Sequence, residues 1–174
     1  DEEMRKTMNK KVPLDAYREA NQLCNKHNIE ALNSVMIGLP GETRENVKKT
    51  LRFLRHSKEV KQANFAIATP YPGTTFYDMA VGSTEGVDLL IDDFSKYKRY
   101  GQAVTRIGEL SPEDLVELQN EGFVSVYSAV WRWLPVYKKN GIVGLLLTFS
   151  RLFKLLFSQT RRRLTTNRLH PSLE

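Results

Sequence analysis

The chain has 174 residues, 41% of them hydrophobic and 26% charged, enough for one domain with a core and far from a disordered composition. A single cysteine, Cys24, excludes an internal disulfide framework and any site that needs several thiolates, which favours a reducing, cytosolic context over secretion. The net charge of +6 is concentrated in the tail, where residues 131 to 174 hold nine Lys/Arg against one acidic residue, so the basic balance argues against nucleic-acid binding by the chain as a whole.

The first residues, Asp1-Glu2-Glu3-Met4-Arg5-Lys6, are charged, form no signal peptide and read as entry into the middle of a helix, so the chain is expected to be a fragment. Residues 13 to 27 place Leu14, Tyr17, Ala20, Leu23 and Cys24 at helical spacing behind Pro13, which predicts a helix. Residues 29 to 37 then form a short apolar run, β-rich at its end and stopped by Gly38-Leu39-Pro40-Gly41, which predicts a buried strand. Thr43 with Asn46 three residues later is an imperfect capping box, and Val47, Thr50, Leu51 and Leu54 supply the stripe of a second helix to about residue 57. Residues 64 to 69, NFAIAT, predict another strand, ended by Pro70-Tyr71-Pro72-Gly73-Thr74 and followed by a short helix over 75 to 80.

This alternation predicts parallel strands joined by crossover helices, and two strands alone make a poor sheet. Residues 82 to 108 show no clear period and read as a loop with a short helix or strand. Ser111, Pro112, Glu113 and Asp114 form a helix start, predicting a helix to about residue 133, and a last helix is expected over 142 to 163. Three segments follow: residues 1–81 as the α/β part, 82–140 as an irregular and helical extension, and 141–174 as a basic amphipathic helix and tail.

Parallel strands end on the same side, so the turns after residues 37 and 69 form one rim, on the edge where α/β folds bind ligands. The first turn lacks the Lys-Ser/Thr of a phosphate-binding loop and the spacing of a dinucleotide fingerprint. An ordinary tight strand-to-helix connection accounts for its glycines and proline equally well.

GLPGET after one strand and PYPGT after the next, with DEEMRKTMNKK at the start, resemble the radical S-adenosylmethionine superfamily. The likeness is to its cobalamin-associated branch, which includes anaerobic magnesium-protoporphyrin ester cyclase-like proteins, and it covers residues 1 to about 80. It implies an α/β fold, the last strands of a partial (β/α) barrel of the TIM type, with a mainly helical extension behind it. It also implies part of an S-adenosylmethionine pocket: Lys10 beside the methionyl carboxylate, Ser34 near the ribose, Met36 against adenine, Gly38 allowing close approach, and the backbone around Thr69 and Pro70 against adenine. Without the resemblance, Lys10 reads as a solvated lysine and Met36 as a core residue.

The family's radical reaction requires a four-iron four-sulfur cluster on three cysteines, and this chain has no such triad. Cys24 reads as a core thiol, and His27, His56 and His170 show no metal-ligand spacing, so no catalytic or metal residue is assigned. The expected function is thus the carboxyl-terminal portion of a radical S-adenosylmethionine enzyme acting on an unknown small molecule. Its iron-sulfur cluster, with or without cobalamin, belongs to a missing N-terminal half that is the expected partner. The alternative is a noncatalytic interaction or peripheral membrane module. For the tail, Ile142, Val143, Leu146, Phe149, Leu152, Phe153, Leu156 and Phe157 share one face opposite Arg151, Lys154 and Ser158, ahead of Arg161-Arg162-Arg163. Docking on the absent half ranks ahead of membrane association through 142–163, and nucleic acid comes third.

Overall fold

Local signals and tertiary packing agree over most of the chain. In the computed structural model, which describes residues 2–134, 137–138, 140–150 and 153–154, α1 (Glu2–Thr7) and α2 (Leu14–Lys26) lead into β1 (Leu32–Ile37). The chain continues through α3 (Arg44–His56), β2 (Gln62–Ile67), α4 (Thr75–Gly82), β3 (Val87–Leu89), β4 (Thr105–Ile107) and α5 (Pro112–Tyr127). Short 3-10 turns occupy Phe94–Lys96 and Val130–Arg132. The Thr43 cap is a complete capping box: its side chain accepts the Asn46 N–H while the Asn46 carboxamide accepts the Thr43 N–H. Ser111 and Asp114 repeat the device at α5, with Pro112 in its first turn.

β1 and β2 pair in parallel, Leu32 opposite Gln62 through Ile37 opposite Ile67, with α3 as the crossover. β3 and β4 form a separate antiparallel pair within the segment that shows no period, held across the ladder by Arg106, whose Nε and Nη2 both donate to Asp88 Oδ2 at 3.0 and 2.7 Å. The arginine beside it holds the Asp88 carboxyl below its usual range. The α/β class is therefore as expected. A TIM-type barrel is not: the described residues form two sheets of two strands each, and no ladder closes them into a barrel. The predicted helix to about residue 133 stops at Tyr127, where Ser128 caps it and the chain turns through Val130–Arg132. Residues 140 to 150 are helical and leave Ile142, Val143 and Leu146 exposed, whereas Leu152, the segment 155–174 and with it the Arg161-Arg162-Arg163 run lie outside the described residues. Among the described residues no helix is long and apolar enough to cross a membrane.

The core lies on one face of the β1–β2 sheet. Val47, Leu51 and Leu54 of α3 and Leu115 and Leu118 of α5 meet Ile37, Phe65 and Ile67, all 2% exposed or less. α5 crosses β2 at Gly122, where an added Cβ would lie 2.9 Å from the Phe65 ring, itself packed edge-on against Phe123 at 5.2 Å. Gly122→Ala should therefore lower stability by roughly 1–2 kcal/mol, since overpacking outweighs the gain in helix propensity. A denaturant midpoint equal to that of the wild type would show that the ring moves aside freely.

The two edges of this sheet differ. Ile37 C=O accepts the Ala68 N–H, so in the parallel ladder Asn33, Val35 and Ile37 of β1 bond to β2 while Ala63, Phe65 and Ile67 of β2 turn their backbone groups outward. Those outward groups are met by side chains and a loop. The Tyr127 hydroxyl accepts from Ala63 N–H at 3.2 Å and donates to Ala63 C=O at 2.8 Å; Gln119 Nε2 donates to Phe65 C=O at 2.6 Å; Ile67 N–H donates to Arg99 C=O at 2.9 Å. The outer edge of β2 is closed by the chain itself.

Candidate functional site

The turn after β1 is built around an internal anion. Gly38 and Gly41 take φ of +82° and +73°, which only glycine adopts readily, and the reversal brings the Glu42 carboxylate back under the loop. Its Oε2 accepts the Gly38 N–H at 2.7 Å and the Leu39 N–H at 3.3 Å, and Glu42 is 8% exposed. The amides that a phosphate or carboxylate ligand would use are thus occupied. A Cβ on Gly38 would meet Leu115 side-chain carbons at 3.1 and 3.3 Å, so tight packing on α5 adds to the positive φ in favouring a glycine there.

Burial raises the Glu42 pKa above its ordinary 4.5, and the two amides only partly oppose this. A raised carboxyl pKa favours the folded state below the ordinary value, and that contribution is lost as pH rises towards the raised one. Glu42→Gln keeps an acceptor for both amides and removes the charge, so it should match the wild type at pH 4 and exceed it increasingly towards pH 7. Urea denaturation across that range would refute this if the wild type were the more stable at neutral pH.

The turn after β2 starts beside the first, tied by the Ala68–Ile37 bond. Pro70 is buried, and the Thr69 hydroxyl turns back to Ile67 C=O at 3.3 Å. Beyond it the Tyr71 and Tyr97 rings lie 6.4 Å apart and Phe94 packs edge-on against Tyr97 at 5.0 Å, forming an aromatic rim. The Tyr97 hydroxyl is buried without a partner, and burial raises its pKa.

The face of the β1–β2 sheet opposite the core carries Leu32, Ser34 and Met36 from β1, all exposed, with Met36 at 54%. Met36 is therefore not a core side chain. Opposite Ser34 in the register stands Asn64, and opposite Met36 stands Ala66. Asn64 Nδ2 donates to the Tyr100 hydroxyl at 3.3 Å, while Asn64 Oδ1 is buried with no hydrogen-bond partner. Tyr100 is held there indirectly, because Gln119 of α5 takes the Gly101 N–H on Oε1 at 2.8 Å and gives Nε2 to Arg99 C=O at 2.8 Å.

Ser34, Met36, Gly38, Thr69 and Pro70 are thus gathered on one face and its carboxyl rim. Lys10 is placed elsewhere. It follows α1 through a left-handed Asn9 and lines a shallow cationic cleft made wholly by residues 5 to 15, with Arg5, Lys6 and Lys11. The sequence reading missed Asn64, Tyr100 and Glu42. Strand alternation was enough to put Asn64 and Ser34 on the face opposite their neighbours, the buried Phe65 and the half-buried Val35, whereas their pairing comes from the register. Cys24 is half-buried and free, and among the described residues no three His, Cys, Asp or Glu side chains converge as a metal site.

No protein-family model matches the chain. It is 32% identical over 109 residues to the uncharacterized methyltransferase PH0819 of Pyrococcus horikoshii. The match takes in 63% of this chain and 23% of that protein, so the chain spans about a quarter of the length of its curated relative. That name speaks of methyl transfer. It overturns the expected membership of the cobalamin-associated, cyclase-like branch of the radical S-adenosylmethionine superfamily, and with it the radical function. The iron-sulfur cluster, the cobalamin and the metal-binding role expected with that branch have no support from the relative or from the donor groups present. The turns that carried the resemblance are short, and each has a local structural reason: Glu42 closes one, and the Thr74 cap of α4 closes the other.

Proposed function

We propose that this chain contributes one wall of the S-adenosylmethionine site of a methyltransferase. The reading is carried by the methyltransferase relative, taken together with an uncovered sheet face that combines apolar and polar groups at the carboxyl end of parallel strands. S-adenosylmethionine supplies a methyl group on a sulfonium, which a nucleophile takes by two-electron displacement. The work left to the protein is binding, orientation and exclusion of water.

The residues suit an adenosine. Met36 and Ala66 offer an apolar patch for a ring, and the exposed Ser34 hydroxyl is a partner for a ligand hydroxyl or amino group, with Asn64 opposite it in the register. The Thr69–Pro70 backbone edges the same patch. Lys10 and its basic neighbours suit a carboxylate, and we keep Lys10 as a contact that other parts of the protein would have to bring to the strands. Leu32, Ser34, Met36, Asn64 and Ala66 supply contacts to the cofactor, and no base for the methyl acceptor is assigned among them. The β1–α3–β2 unit is accordingly read as part of a larger parallel sheet.

Equilibrium dialysis with labelled S-adenosylmethionine on the full-length gene product tests this. Ser34→Ala should weaken binding about fivefold, as expected for the loss of roughly one hydrogen bond, and Met36→Lys should weaken it more strongly. Unchanged affinity in both variants would remove this face from the site.

A further inference from the structure

We propose that the free edge of β1 is the docking site for a parallel strand supplied by polypeptide that precedes α1 in the full-length protein. The proposal does not depend on the methyl-transfer reading. Because Asn33, Val35 and Ile37 are committed to β2, the N–H and C=O groups of Leu32, Ser34 and Met36 point away from it, and no backbone bond to another segment meets those of Ser34 or Met36 among the described residues. Leu32 and Met36 are also 59% and 54% exposed. The contrast with β2 is the informative point: there Tyr127, Gln119 and Arg99 close the edge in cis, so the sheet is finished on that side and open on the other. An isolated pair of strands with one bare edge is both marginal and prone to non-native pairing.

The position of α2 selects the occupant. Tyr17 packs on Phe53 of α3 at 6.2 Å, Arg18 reaches Glu59 at 3.3 Å, and Asn21 accepts from Asn33 of β1 at 2.9 Å, so α2 lies on the same face of the sheet as α3. α3 carries the chain from β1 to β2 as a crossover, and crossovers in one sheet share a right-handed sense. A strand feeding α2 with that sense lies beside β1 on the side opposite β2, parallel to it, and bonds to Leu32, Ser34 and Met36. A protein of which these residues form about a quarter, as in the methyltransferase relative, has chain to supply it.

Single-residue hydrogen exchange by mass spectrometry on the full-length gene product decides the matter. The Ser34 and Met36 amides should exchange as slowly as those of Val35 and Ile37, within about tenfold, at every protein concentration. Exchange at Ser34 and Met36 a hundredfold or more faster than at Val35 would overturn the proposal. Protection that appears only as the protein dimerises would overturn it as well, because the occupant would then be a second copy. Binding of S-adenosylmethionine, tested separately, can fail without affecting either outcome.

Discussion

Replacing Arg132 by methionine should lower stability by about 3–5 kcal/mol, the largest loss expected for any single side chain described here. Arg132 is 3% exposed and, among the described residues, has no carboxylate beside it; its guanidinium is satisfied by carbonyls instead. Nη2 donates to Leu54 at 2.6 Å, Val60 at 2.9 Å and Ser57 at 3.4 Å, Nη1 to Val126 at 2.8 Å and Nε to Val60 at 3.2 Å. Leu54 and Ser57 close the carboxyl end of α3, and Val126 lies in the last turn of α5, so one cation caps two helices at their negative ends. Trp131 covers the guanidinium at 4.0 Å. Burial lowers its pKa to about 10, which leaves it charged at neutral pH. Arg132→Lys should recover only part of the loss, because a single ammonium cannot span both helix ends. Thermal unfolding that gave Lys and Arg the same midpoint would contradict the two-helix account.

Gln119→Leu should cost roughly 3 kcal/mol, through the Phe65 carbonyl and the Gly101 N–H that it leaves without partners and the Arg99 carbonyl that it leaves with the Ile67 N–H alone. Gln119→Glu should be worse, since carboxylate oxygens would then face two carbonyls. The substitution also has a reach beyond stability. Gln119 is 2% exposed and touches nothing on the open face, yet it holds the segment whose Tyr100 meets Asn64. S-adenosylmethionine affinity should therefore fall in Gln119→Leu under conditions where the variant remains folded. Affinity equal to the wild type in folded Gln119→Leu would detach Tyr100 from the site.

These two residues also show where sequence reading runs out. Thr43 and Asn46, or Ser111, Pro112 and Asp114, announce a helix start because all partners lie within four residues. Gln119 and Arg132 resemble ordinary polar positions in a helical stretch, and their partners lie as many as 78 residues away. β3 and β4 were legible only as a loop with a short helix or strand, because each has three residues and its ladder joins positions about 18 apart. Both long strands were legible from their apolar runs, but which face of β1 the helices cover depends on tertiary packing, so Met36 read as core without the family resemblance. In the site, the turns and their common edge were visible, whereas the Glu42 carboxylate inside the first turn was not. Four or five turn residues were too few to separate one use of S-adenosylmethionine from another.

The Glu42 closure has a kinetic consequence. A ligand loop that is ordered only by its ligand must lose conformational entropy at each encounter, which slows association and spreads bound and free states apart. Here the amides of Gly38 and Leu39 are already anchored on a buried carboxylate four residues along the same chain. This part of the rim is set before anything arrives, so a ligand that met it there would have no disorder of the Gly38–Leu39 amides to overcome.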